Sequence, residues 1–265
     1  MKYGAMNFPI RPLIDEIDEL GRLRFDYIEI TMDPPEALPK TLRELRKEVD
    51  ETLRHYAMGM IAHMPTFVST ADLYQSIRQA SVEETTAALE TASGLGIEKV
   101  VLHPPLTTGL AKFLPKHVER HGLSSLEAFL ERAHGLNMTV CLENMFPGVG
   151  PFTTPRGFEA LLKEFPDLRM TLDIGHAFLA GGLNNILDFI GVLGNRIHHV
   201  HANDNFGRED NHLPIGAGII DFRSVFKELR LSGYDDTMTL EVFSRDRDYL
   251  SMSRNKVEQL WEEIA

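Results

Sequence analysis

Residues His198–Gly218 read HHVHANDNFGREDNHLPIGAG, and the rest of the chain is best understood from this stretch. It crowds His198, His199, His201 and His212 together with Asp204 and Asp210 into one short run. Neutral imidazole and carboxylate are the usual ligands of zinc, manganese or iron. The run opens as a strand, because apolar Ile197 and Val200 precede the turn-rich NDNFG. Residues two apart on a strand share a face, so His199, His201 and Asn203 point one way. The GAG at its end leads into an apolar-periodic helix. A strand whose last residues and following loop carry the chemistry is the layout of an α/β enzyme. One histidine alone reads best as a satisfied structural residue. Six candidate ligands in one run read as a site.

Outward from this run, short apolar strands alternate with amphipathic helices. Strands are expected over 3–7, 27–31, 60–64, 99–103, 139–144, 169–175, 197–203 and 237–243. Helices are expected over 13–20, 40–56, 76–95, 123–134, 155–165, 186–193, 222–231 and 251–264, several of them stopped by glycine or proline. Strands joined through helices run parallel, with right-handed crossovers. Eight such units predict an α/β protein built as a single (β/α)8 TIM barrel, one domain over 1–265 without a linker. An open doubly wound sheet is the alternative. No G-x-G-x-x-G follows the first strand, which counts against a dinucleotide site.

Composition narrows the function classes. The 265 residues carry a formal net charge of −12 without a cluster of Lys and Arg, which counts against nucleic acid as a partner. Acids come early in MKYGAMNFPIRPLIDEID, unlike a signal peptide. No window is expected to have the long uncharged apolar run of a membrane span. The single cysteine, Cys141, reads as a small core residue and excludes an internal disulfide framework. It fits a reducing compartment, so a cytoplasmic location is expected.

The polar residues fall at strand ends. His63 and His103 end the third and fourth expected strands, and Glu143 and Asp173 lie at the ends of the fifth and sixth. His176 is expected in the loop just beyond. His201 and Glu241 lie near the ends of the seventh and eighth, with Asp210 and His212 in the seventh loop. In a barrel these C-terminal strand ends converge on one mouth, where the active site sits. Thr139, Cys141 and Glu143 alternate with Val140 and Leu142, Thr171 and Asp173 with Met170 and Leu172, and Thr239 and Glu241 with Leu240 and Val242. The polar members are expected to face the barrel interior. Glu29 shares that parity, as a structural ion pair or as a ligand. His55, His117, His121 and His134 read as surface or helix-end residues. His198 and His199 read as supports for a ligand or as barrel wall.

The segments VVLHP (100–104), CLEN (141–144), LDIGHAFLAG (172–181), HVHANDN (199–205), DNHLPIGAGIIDF (210–222) and LEVF (240–243) make the chain resemble the xylose isomerase-like TIM-barrel superfamily. That group joins sugar and sugar-phosphate isomerases and epimerases with endonuclease IV, the AP endonuclease family 2. In the isomerase and epimerase branch, the resemblance implies one divalent ion (zinc, manganese or similar) on Glu143, Asp173, His201 and Glu241. It implies Glu143 and Glu241 as acid and base, and His176 as a contact to substrate oxygens. Moving a proton next to a carbonyl generates an enediolate whose charge a metal stabilises, and two carboxylates remove and return the proton. Some ketose 3-epimerases of the group carry a further Glu shortly after the strand-five Glu, where this chain has NMFPGVG (144–150).

In the endonuclease IV branch, three zinc ions are held by nine ligands. The matching positions are His63, His103, Glu143, Asp173, His176, His201, Asp210, His212 and Glu241. Such a site activates water against a phosphodiester. The strand-two loop MDPPEALP (32–39) has acids and no Lys or Arg, which predicts repulsion of phosphate at the mouth. The expectation is a metal-dependent isomerase or epimerase of a small sugar, sugar phosphate or polyol. A zinc phosphodiesterase acting on abasic DNA is the second reading and a metal-binding barrel without catalysis the third. A homo-oligomer is left open.

Overall fold

The computed structural model describes residues 1–105, 109–148 and 152–264. Eight strands follow one another in chain order: β1 (Lys2–Met6), β2 (Tyr27–Thr31), β3 (Gly59–His63), β4 (Lys99–Leu102), β5 (Thr139–Glu143), β6 (Arg169–Asp173), β7 (Ile197–Ala202) and β8 (Thr237–Leu240). Each pairs in parallel with its neighbours, and β8 pairs back to β1, so the sheet closes into a barrel. The expected (β/α)8 barrel is the observed one. The outer layer holds α1 (Leu13–Arg22), α2 (Pro39–Glu44), α3 (Arg46–Tyr56), α4 (Gln75–Gly94), α5 (Pro115–Gly135), α6 (Pro155–Glu164), α7 (Ile174–Leu193), α8 (Phe222–Leu231) and α9 (Asp248–Glu263).

Strand parity sorts the side chains as alternation requires. The outward residues Val140, Leu142, Met170, Leu172 and Val200 join the large apolar core between sheet and helices. Inside the barrel, Tyr27, Ile61 and Val101 form a small separate apolar plug. Gly4 makes room for it: a Cβ there would lie 2.2 Å from the Tyr27 ring. Above the plug, the interior turns polar, with Glu29, His199, His201, Thr239 and Asp173 all fully buried. A barrel interior is ordinarily filled by layers of branched apolar side chains, so this polar half sets the site apart.

Three helical expectations shift. The stretch expected as one helix over 40–56 divides at Leu45, where the backbone leaves helical geometry (φ −88°, ψ 4°). Helix α5 starts at Pro115, well before the expected 123, because proline presets the first helical turn and Val118 and Gly122 already face inward. The sixth strand stops at Asp173 instead of 175. The Asp173 carboxylate caps α7 by accepting from the His176 backbone N–H at 2.5 Å, and a capped helix start overrides the apolar strand pattern.

Helix α7 also corrects a second expectation. The stretch Ile174–Arg196 is apolar and long enough to cross a membrane by length and composition. Here it packs on β6 and β7 as an outer-layer helix and is interrupted at Gly181 and Gly182.

Candidate metal centre

All nine expected ligand positions meet at the mouth. Ligand atoms within 4.8 Å of one another group as His63 with His103 and Glu143, Asp173 with His201 and Glu241, and His176 with Asp210 and His212; Glu143 also groups with Asp173 and His176. His201 Nδ1 lies 3.3 Å from Glu241 Oε1, 3.4 Å from Glu143 Oε2 and 3.9 Å from Asp173 Oδ2. The His103 and His63 Nε2 atoms lie 3.1 and 3.6 Å from Glu143 Oε2. Asp210 Oδ2 lies 2.9 Å from His212 Nε2 and 3.3 Å from His176 Nε2.

The imidazoles are aimed by their other nitrogens. Nδ1 of His63, His176 and His212 bonds to the backbone carbonyls of Met64, Asn144 and Glu241 at 3.0, 3.0 and 3.1 Å. A carbonyl only accepts, so each Nδ1 carries the hydrogen; Nε2 faces Glu143 in His63 and Asp210 in His176 and His212, while His176 Nδ1 also lies 3.0 Å from Glu143 Oε1. Such partners fix tautomer and ring orientation in metal-ligating histidines.

The donor set fits a divalent ion. Among the described residues, His201 Nδ1, Glu143 Oε2 and Asp210 Oδ1 are buried without a hydrogen-bonding partner. Buried polar atoms left unpaired cost free energy, and a cation shared by His201 Nδ1 and Glu143 Oε2, which lie 3.4 Å apart, would satisfy both. Zinc, manganese and iron suit such imidazole and carboxylate donors.

Charges shift one another strongly because the groups are largely buried. Burial raises the Asp173 carboxyl to about 7, helped by Glu241 and Glu143 and opposed by the neighbouring imidazoles. Burial opposes charging of His212, but Asp210 and Glu241 outweigh it and push the ring up to about 9. His176 and His201 are likewise held well above the ordinary imidazole range against burial, His176 chiefly by Asp173 and Asp210 and His201 chiefly by Glu241 and Glu29. Burial disfavours the charged Glu143, yet His103 and His201 hold it well below the usual carboxylate range.

The opening run divides by role. His201 lies at the centre and His199 one step beneath it, bonded to Glu29 and Thr237 at 2.8 and 2.7 Å. His198 belongs to none of the ligand groups. Asp204, expected as a possible ligand, organises the loop instead. It accepts from the backbone N–H groups of Asn205, Gly216, Gly218 and Ile220 at 2.8–3.1 Å. A Cβ on Gly218 would lie 2.3 Å from the Asn205 carbonyl, which is why the motif needs glycine there. The Asp204–Leu213 bridge folds the loop back, carrying Asp210 and His212 to the mouth.

One further expectation changes. His176 sits in the first turn of α7 rather than in a loop. Of the two acids in MDPPEALP, Asp33 is buried and accepts hydrogen bonds from Thr31 and Thr66. Positions 149–150 of the NMFPGVG segment lie outside the described residues.

Asn144 was not singled out by sequence, and Asn203 was placed only on the strand face of His199 and His201. Asn144 exchanges two hydrogen bonds with the Asp173 backbone at 2.8 and 2.9 Å. Asn203 donates to Asp173 Oδ2 at 3.2 Å. Their position beside strand-end ligands was the available signal. The close seating of Asn203 also explains Gly175, where a Cβ would lie 2.1 Å from its side-chain oxygen.

Residues 14–264 match the family described as xylose isomerase-like TIM barrel. The uncharacterized protein MJ1311 of Methanocaldococcus jannaschii is 30% identical, with 97% of this chain and 92% of that protein covered. A crystal structure of a D-tagatose 3-epimerase-like protein superposes with a TM-score of 0.84 at 28% identity, covering 100% of this chain and 98% of that one. The L-ribulose-5-phosphate 3-epimerase UlaE of Shigella boydii is 23% identical, over 84% of this chain and 79% of that protein.

Proposed function

The chain belongs to the xylose isomerase-like TIM-barrel family, and from that membership we propose that it is a divalent-metal-dependent epimerase or isomerase of a small sugar or sugar phosphate. The observation that carries this reading is the pair of carboxylates facing one nitrogen. Glu241 and Glu143 approach His201 Nδ1 at 3.3 and 3.4 Å. Relatives named as 3-epimerases support the same reaction class.

Glu143, Asp173, His201 and Glu241 would hold the ion. The ion would supply charge neutralisation to the substrate oxygens while the enediolate exists. Glu143, held ionised by His103 and His201, takes the substrate proton at a carboxylate oxygen. Glu241, across the cluster, returns one from the other side, which inverts the carbon. His176, expected to touch substrate oxygens, has Nδ1 on the Asn144 carbonyl and Nε2 toward Asp210. That setting supports a role as ligand beside Asp210 and His212 more than a substrate contact.

The second reading, a zinc phosphodiesterase acting on abasic DNA, is favoured by one observation. The His63–His103–Glu143 and His176–Asp210–His212 groups flank the central one and suit further zinc ions. If Glu143 also served the His63–His103 group as a ligand, its carboxylate would be less able to act as a base. Incubation in deuterated water with a panel of free and phosphorylated ketoses and aldoses tests the ranking. Wild type should label a carbon-bound position in at least one sugar and Glu241→Gln in none. Cleavage of abasic DNA with no sugar labelled reverses the order of the two readings.

A further inference from the structure

Beneath the mouth, Glu29 occupies the barrel interior with no solvent exposure. Its Oε1 accepts from His201 Nε2 at 3.1 Å. Its Oε2 accepts from His199 Nε2 at 2.8 Å and from the Thr239 hydroxyl at 2.5 Å. The Tyr27 hydroxyl lies 2.9 Å from Thr239 Oγ1 and so backs this partner. His199 Nδ1 in turn lies 2.7 Å from Thr237 Oγ1, which accepts from Lys99 Nζ at 3.0 Å. Glu29 is therefore gripped from three sides, and its free choice of rotamer is gone.

His63, His176 and His212 are aimed by backbone carbonyls through Nδ1. His201 is reversed. An ionised carboxylate accepts only, so His201 Nε2 must carry the hydrogen, and Nδ1 is the nitrogen that gives up its proton to offer a lone pair toward Glu143, Asp173 and Glu241. From this geometry we infer that Glu29 is a positioning residue for the metal centre: its carboxylate fixes the tautomer and ring plane of His201 so that Nδ1 meets the ion. It touches neither substrate nor reacting atoms. The inference rests on the metal reading above and assigns Glu29 to a supporting role, where the sequence left ligand and ion pair open.

Partners of this kind raise ligand basicity and cost about 10–100-fold in metal affinity when removed. The test is the zinc dissociation constant of the full-length protein, measured by competition with a chelator, for wild type, Glu29→Gln and Glu29→Ala. Glu29→Gln keeps an oxygen to accept from His201 but removes the charge. It should weaken zinc about tenfold, and Glu29→Ala about 100-fold. Nitrogen NMR of the zinc-loaded protein should place zinc on His201 Nδ1 and a strongly hydrogen-bonded proton on Nε2, a proton retained in Glu29→Gln and lost in Glu29→Ala. Folded variants that bind zinc within about twofold of wild type overturn the inference; where Glu29→Ala does not fold, Glu29→Gln decides. Wild type that fails to bind zinc overturns the metal centre itself and this inference with it, so the two failures are told apart.

Discussion

Two clusters of histidine and carboxylate are stacked along the barrel axis, and they are built from the same residue types. The upper one joins His201, Glu143, Asp173 and Glu241; the lower one joins Glu29 and His199 with Thr239 and Thr237. Both are buried. They differ in what their polar atoms do. In the lower cluster, both Glu29 oxygens and both His199 nitrogens have hydrogen-bonding partners at 2.5–3.1 Å. In the upper one, His201 Nδ1 and Glu143 Oε2 have none among the described residues. Residue type therefore does not separate the two clusters; hydrogen-bond satisfaction does. His201 belongs to both clusters, one nitrogen in each.

Strand β7 offers the sharpest way to break the comparison, because His198, His199 and His201 lie within four residues and should behave as three different kinds of residue. His201→Ala should lose at least about 1,000-fold in zinc affinity, since a ligand goes and three carboxylates lose their imidazole. His199→Ala should cost about tenfold, acting only through Glu29. His198→Ala should change neither metal content nor stability beyond about 0.5 kcal/mol. Chelator competition and thermal unfolding read all three. Equal losses at His199 and His201 would erase the distinction between the clusters.

A smaller effect follows from pH. His212 is raised from 6.5 to about 9, so its contribution is fully present below about 6.5 and is lost as pH rises through about 9. Asp173 is raised from 3.8 to about 7, so its contribution is fully present below 3.8 and is lost as pH rises through about 7. Metal-free protein should therefore weaken from pH 6.5 to 9. Metal binding displaces those protons, so its stabilisation grows with pH, by about 1.4 kcal/mol per unit for each proton released. Thermal unfolding with zinc and with chelator should show a Tm gap that widens across this range. A constant gap would mean that the upper cluster binds metal without giving up protons.

Much of this was legible in the sequence, and the parts that were not have physical reasons. The alternation of Thr139, Cys141 and Glu143 with Val140 and Leu142 is a local property of a strand, so it predicted the interior face correctly. Candidate ligands at strand ends could be placed together because a barrel brings all such ends to one mouth. Asp204 could not be told from a ligand, because its four backbone donors come from Asn205 and from residues 216–220, a pairing made only by the folded loop. The start of α7 at Ile174 was hidden because Asp173 serves as both cap and candidate ligand, and the apolar run around it suits strand and helix alike. Glu29 showed its parity but not its partners, which are 170 and 172 residues away along the chain.

The central claim is that the upper cluster holds a divalent ion between two carboxylates free to move a proton. Metal content of protein purified without added metal tests it most directly. The account predicts about one divalent ion per chain, lost in Asp173→Ala while the fold persists. No bound metal, or metal content unchanged in Asp173→Ala, would contradict it. About three zinc ions per chain would favour the hydrolase instead.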